Sequence, residues 1–119
     1  MIYKILRRSE WKAAEAAGKF TGSAVDIQDG YIHFSTAEQV VETAAKHFAG
    51  QIDLVVLEID ENNLGENLKW EPSRGGALFP HLYSDLSVAD VKSVEELPLD
   101  STGSHVFAER ICPAQNKED

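Results

Sequence analysis

One cysteine, one methionine and two tryptophans occur in the 119 residues, and no apolar run approaches the ~20 residues that a membrane-spanning helix needs. The lone Cys112 excludes an intrachain disulfide, so a packed core has to hold the chain, and a reducing, cytoplasmic setting is expected. Basic charge is also scarce: eleven Lys and Arg face twenty Asp and Glu, for a net charge of −9. An acidic shell repels phosphate backbones, so nucleic acid is not an expected partner, and without a spanning run neither is a membrane. The start, Met1-Ile2-Tyr3-Lys4, does not read as a signal peptide. What basic charge there is gathers early, as Lys4, Arg7, Arg8, Lys12 and Lys19 against Glu10 and Glu15. That end could meet one small phosphorylated ligand, although solubility also accounts for the charge imbalance.

The length suits one domain, and an apolar fraction of 43% is ordinary for a globular chain. Ile2 to Leu6 reads as a strand, followed by a helix capped at Ser9, with Trp11, Ala14 and Ala17 at helical spacing and Gly18 ending it. Gly22-Ser23 and Asp26 to Gly30 supply turn residues. Tyr31 to Phe34 is a short strand running into a second helix, where Ser35 or Thr36 opens a capping box and Val40, Val41, Ala44, Ala45 and Phe48 form an apolar stripe. The four consecutive apolar residues of Leu54-Val55-Val56-Leu57 predict a central strand covered on both faces. Further strands are expected over Leu68 to Glu71, Leu82 to Leu86 and Val91 to Leu97, with a short edge piece at His105 to Phe107. Two helices followed by a run of strands argue an α+β fold, with one globular domain over residues 1–108 and a polar tail over 109–119.

Strand alternation places Tyr31, His33 and Ser35 on one face, with Ile32 and Phe34 opposite; His81 and Tyr83 share a face in the same way. If both strands belong to one sheet, these polar faces line a common cleft, framed by the Glu71, Arg74 and Gly75-Gly76 loop. The competing reading is a half-exposed sheet with a polar outer face, but His, Tyr and Ser are unusual choices for plain solvent exposure. Taken singly the residues are weaker. Ser35 reads as a helix cap, since no Gly-x-Ser-x-Gly elbow surrounds it. His47 reads as a flank residue, His105 as solvated, Trp70 as core, and Cys112 as an unactivated thiol. His33, His81 and Glu71 are zinc-ligand types, but without His-Glu-x-x-His or Cys-x-x-Cys spacing no metal is expected.

Several blocks together resemble one bacterial family, the domain of unknown function 952: Ile2-Tyr3-Lys4-Ile5, Trp11 to Ala14, Gly18 to Ser23, Gly30 to Thr36, Trp70 to Gly76 and Leu78 to Tyr83. The resemblance runs from about Ile2 to Leu99. It implies a fold like that of the ADP-ribosyltransferases, a split, strongly bent, mainly antiparallel β-structure with two main helices and a cleft sized for NAD. Tyr31 to Ser35 also looks like the second motif of the RNA 2′-phosphotransferase branch, which would give His33 and Ser35 ligand-contacting roles. Departures accompany it: Tyr3-Lys4-Ile5 stands where that branch has His-Gly-Thr, and Glu71 is only a candidate for the ribose-orienting glutamate. The resemblance implies a protein that binds a nucleotide or NAD-related small molecule. If it is an enzyme, it would break or form the glycosidic bond at the nicotinamide ribose. Glu71 and His33 are then the candidate catalytic residues, with Lys4, Ser35, Arg74, His81 and Tyr83 binding ligand. The alternative is a binding module that has lost transferase chemistry.

Overall fold

The computed structural model describes residues 1–112, apart from the side chain of Arg74. Among the described residues it is a mixed α+β structure of eight strands and three α-helices. In chain order these are β1 (Ile2–Arg7), α1 (Arg8–Ala17), β2 (Lys19–Phe20), α2 (Ala24–Asp29), β3 (Ile32–His33), α3 (Ala37–His47), β4 (Leu54–Ile59), β5 (Leu68–Pro72), β6 (Leu78–Leu82), β7 (Leu86–Ser87) and β8 (Val91–Glu96). The β-structure is divided into antiparallel sheets of order β1-β4-β8, β2-β7 and β3-β6-β5. A bridge between Tyr3 and Ser35 joins the first sheet to the third, with each backbone N–H donating to the other residue's carbonyl.

The central strand β4 is buried along its whole length, as its apolar run predicts, because a separate core covers each face. Alternation distributes the side chains. Ile2 and Leu6 of β1 join Val55, Leu57 and Ile59 of β4 against Trp11 and Ala14 of α1. Tyr3 and Ile5 join Leu54 and Val56 against Val40 and Ala44 of α3. In α3 the Thr36 N–H donates to Gln39 Oε1 at 3.0 Å, so the capping box opens at Thr36 and not at Ser35. Its stripe is narrower than expected, with Val40 and Ala44 buried, Phe48 half-buried, and Val41 and Ala45 exposed.

Four expectations about local structure are corrected. The first helix begins at Arg8, capped at Arg7, whose N–H donates to Glu10 Oε1; Ser9 is therefore inside the first turn. Residues 24–29 form a helix and not a turn, closed by Gly30 at φ 87°, a left-handed conformation that glycine adopts without strain. The strand expected from Leu82 lies earlier, at Leu78–Leu82. Pro80 does not break it, because its carbonyl accepts from Phe34 N–H at 3.0 Å and carries that pairing. Trp70 pairs with Pro80 on the back of this sheet and is 42% exposed, so it is not a core residue.

Residues 110–112 pack against the fold. Ile111 and Cys112 are buried with Phe107 in the second core, and Arg110 donates to Glu58 Oε1 at 2.6 Å. His105 is likewise buried, with Nε2 2.8 Å from the Gln51 carbonyl, and is not solvated. The calls for residues 113–119 lie outside the described residues. Ile111→Ala should therefore cost about 2–4 kcal/mol, the range for truncating a well-packed aliphatic side chain. Denaturant titration should show a lower midpoint at unchanged slope. A midpoint equal to that of the parent would mean the segment is not part of the core.

Candidate functional site

A strand of five buried residues, Ile2 to Leu6, contains one charge, Lys4, on the same face as Ile2 and Leu6. An ammonium there needs a partner, since an unpaired buried charge is strongly unfavourable. Asp26 of α2 supplies it, with Oδ2 2.8 Å and Oδ1 3.0 Å from Lys4 Nζ. The same carboxylate accepts from Ser23 N–H at 2.9 Å and from His33 N–H at 3.2 Å, and lies 2.6 Å from His33 Nδ1. Burial pushes the Asp26 carboxyl up, but the bond from His33 and the Lys4 charge overcome it and hold it down at about 2. Gly22 makes room for this carboxylate: a Cβ there would stand 3.0 Å from Asp26 Cβ, and its φ is 115°.

His33 is thus fixed from one side by Asp26, and its Nε2 lies 3.0 Å from Asp29 Oδ2. With a carboxylate at each ring nitrogen, both bonds form together only when the ring carries both protons. Next to it in the sheet, His81 of β6 is paired directly with His33 and with Lys69, so His33, Lys69, Glu71, Phe79 and His81 share one face. Its Nδ1 is 2.8 Å from Glu71 Oε1, which also accepts from the Tyr83 hydroxyl at 2.7 Å. The bonds from His81 and Tyr83 hold the Glu71 carboxyl below its ordinary range, and the Glu71 bond pushes the Tyr83 phenol up to about 12. Tyr31 closes the cluster, stacked on His81 at 4.2 Å between ring centroids and tilted against His33 at 4.6 Å.

This face opens on a cleft of about 720 Å³, within the range of small-molecule sites. Lys4, Ser35, His33 and His81 line it, together with Arg7, Glu10, Asp29 and Thr43. The predicted site residues are placed unequally. His33, His81 and Tyr83 come together around Tyr31, as alternation predicts. Ser35 is buried, with Oγ 2.9 Å from Thr43 Oγ1, and does not cap the helix. Lys4 is committed to Asp26, and Glu71 does not line the cleft but braces His81 from behind. Arg74 falls in the turn Arg74–Gly76, with its side chain outside the described part. His47, read as a flank residue, lines the cleft. Among the described residues no group of three or more His, Cys, Asp and Glu could hold a metal ion. None of the described helices is long and apolar enough to cross a membrane. Burial raises the Cys112 thiol above its ordinary value.

The residues missed by sequence reasoning are Asp26 and Asp29, read there as turn formers. Two signals pointed to Asp26: a lysine inside an apolar strand requires a buried acid, and Ser23-Ala24-Val25-Asp26 matches a capping box.

The sequence model of the family described as "Protein of unknown function (DUF952)" matches residues 5–94. The chain belongs to this family. The chain is similar to the crystal structure of protein CC0527 from Caulobacter crescentus, with 55% identity and a TM-score of 0.89 over 92% of this chain and 96% of that one. The solution NMR structure of CC0527 aligns at 58% identity and a TM-score of 0.79, covering 87% of this chain and 89% of that one. Comparison with curated proteins gives no match.

Asp26→Asn tests the centre of the site's frame. It leaves Lys4 buried without a counter-charge, a loss of about 3–5 kcal/mol at neutral pH. In the parent, Asp26 titrates near 2 when folded against 3.8 when unconstrained. Its contribution is therefore full above pH ~4 and is lost as the pH falls through ~2, a change of order 2 kcal/mol. Urea midpoints measured from pH 5 to 2 should fall less steeply for Asp26→Asn than for the parent. Parallel curves would show that Asp26 is not held ionised by its neighbours.

Proposed function

We propose that this DUF952 chain binds a nucleotide or NAD-related small molecule in the cleft beside Tyr31, His33 and His81. The observation that carries the reading is the pair of histidines lining the cleft, each braced at Nδ1 by a carboxylate and each packed against Tyr31. Packed rings offer a surface for a planar base, and the braced imidazole of His81 offers a fixed hydrogen-bonding position for a ribose hydroxyl. The resemblance to ADP-ribosyltransferase-like proteins supports the same ligand class. Phosphates would be met by Arg7 at the rim and by Arg74, whose neighbour Ser73 lines the cleft, and not by Lys4, which Asp26 neutralises.

A glycosidic reaction at the nicotinamide ribose needs a carboxylate near its cationic transition state. Glu71 is engaged by two donors and stands outside the cleft lining, while the carboxylates that line the cleft, Asp29 and Glu10, are themselves bonded to His33 Nε2 and the Arg7 N–H. That placement favours the second reading, a binding module without transferase activity.

Calorimetric titration with NAD, ADP-ribose and AMP separates these readings. At least one should bind saturably at one site. His33→Asn keeps a donor near the Nδ1 position but removes the ring, and should weaken that binding tenfold or more, the loss of a ~1.5 kcal/mol contact. Lys12→Ala, on the exposed side of α1, should leave it unchanged. Release of nicotinamide from NAD would select the enzyme. Absence of binding by all three compounds, or equal loss in both variants, would sink the proposal.

A further inference from the structure

We infer that His81 is the hydrogen-bond acceptor, and in any reaction the proton acceptor, of this cleft, and that Glu71 is its positioning residue, held in place by Tyr83. The inference rests on reading the cleft as a ligand site, and it specifies what the ligand must present there: a hydroxyl or N–H donor.

His81 occupies the middle strand of its sheet, paired with His33 on one side and Lys69 on the other, so its backbone has little freedom. The side chain is 3% exposed, stacked on Tyr31, and still lines the cleft. Glu71 reaches it across the strand pair, with Oε1 2.8 Å from Nδ1. A carboxylate only accepts, so the bond requires the proton on Nδ1. In the neutral ring this leaves Nε2 with its lone pair, and among the described residues no side chain or backbone group donates to it. Glu71 is in turn fixed: its Oε1 accepts from the Tyr83 hydroxyl at 2.7 Å, from a residue two positions along from His81. Tyr83, Glu71 and His81 therefore form a chain of two hydrogen bonds ending on a bare imidazole nitrogen.

The neighbouring histidine is built differently. His33 has a carboxylate at each nitrogen, Asp26 at 2.6 Å and Asp29 at 3.0 Å, so both of its ring positions are already met by acids. The two rings are 5.4 Å apart at their centroids and sit edge to face. The cleft thus combines one histidine saturated by acids with one that keeps a lone pair, and a ligand donor has a single imidazole to address. In a reaction, the donor's O–H or N–H bond would break heterolytically, its proton passing to the Nε2 lone pair and the electron pair staying on the donor atom, which leaves an imidazolium stabilised by ionised Glu71.

The tautomer is directly readable by two-bond proton–nitrogen correlation spectra of the ¹⁵N-labelled, ligand-free protein, with His81 assigned from the resonances missing in His81→Gln. Neutral His81 should carry its proton on Nδ1. In Glu71→Ala the proton should move to Nε2, the ring's usual site in water, while Tyr83→Phe should leave it on Nδ1. A proton on Nε2 in the parent overturns the inference, and that spectrum decides the matter even where Glu71→Ala does not fold. A folded Glu71→Ala with the parental pattern also overturns it. Addition of ADP-ribose should then shift the Nε2 resonance. Binding that leaves Nε2 untouched refutes the contact with His81. No binding at all, with the proton on Nδ1, refutes the nucleotide reading and upholds the dyad.

Discussion

A lysine in the middle of a buried strand imposes the constraint around which the site is assembled. Lys4 shares its face of β1 with Ile2 and Leu6, in the core that also holds Trp11 and Phe20. Its charge is tolerable there only with Asp26 beside it, so α2 is brought onto the sheet by an ion pair and not by apolar contact. Asp26 then has further acceptor capacity, which Ser23 and His33 use. One carboxylate thereby sets the start of α2, the position of β3 and the ring orientation of His33. The opposite face of the same sheet repeats the device with reversed sign, where Glu58 accepts from Tyr3, Ser93 and Arg110. That network ties the C-terminal segment to β4, and Ile111 and Cys112 complete the core behind it.

Rigidity follows from this arrangement and bears on function. The histidines that face the cleft are not loop residues free to choose rotamers. Each is on a paired strand, each is held through Nδ1 by a carboxylate, and Tyr31 packs against both. A site built this way binds with its hydrogen-bonding directions already set, which lowers the ordering cost of association. The same bracing divides labour among the carboxylates. Asp26 and Glu71 hold the histidines at Nδ1 from outside the cleft lining, whereas Asp29 and Glu10 line the cleft, Asp29 beside His33 Nε2.

Much of the architecture was legible from residues 1 to 119 because it depends on local periodicity. The apolar run of β4, the helical spacing of Trp11 and Ala14, and the Thr36–Gln39 box each carry their own signal. Alternation alone put Tyr31 and His33 on one face and His81 and Tyr83 on another, and the sheet joined those faces. Errors arose where a local signal competes with a distant partner. The residue pattern predicts a strand starting at Leu82, yet β6 runs over Leu78–Leu82, with Pro80 kept in it by pairing through its carbonyl. His105 and Ile111 read as parts of a polar end, yet Gln51 and the second core claim them.

Composition and pattern were enough for the α+β class, the central strand and the identity of the polar face, since these follow from side-chain period and burial along a few consecutive residues. Assigning each polar residue its task required the folded chain. Lys4, Glu71 and His81 look like interchangeable site candidates in one dimension, and Asp26 like a turn residue. Hydrogen bonds spanning 22 positions between Lys4 and Asp26, and 10 between Glu71 and His81, decide which of them support and which face the cleft. Those separations are set by sheet register and helix placement, for which no short stretch of the chain carries a periodic signal.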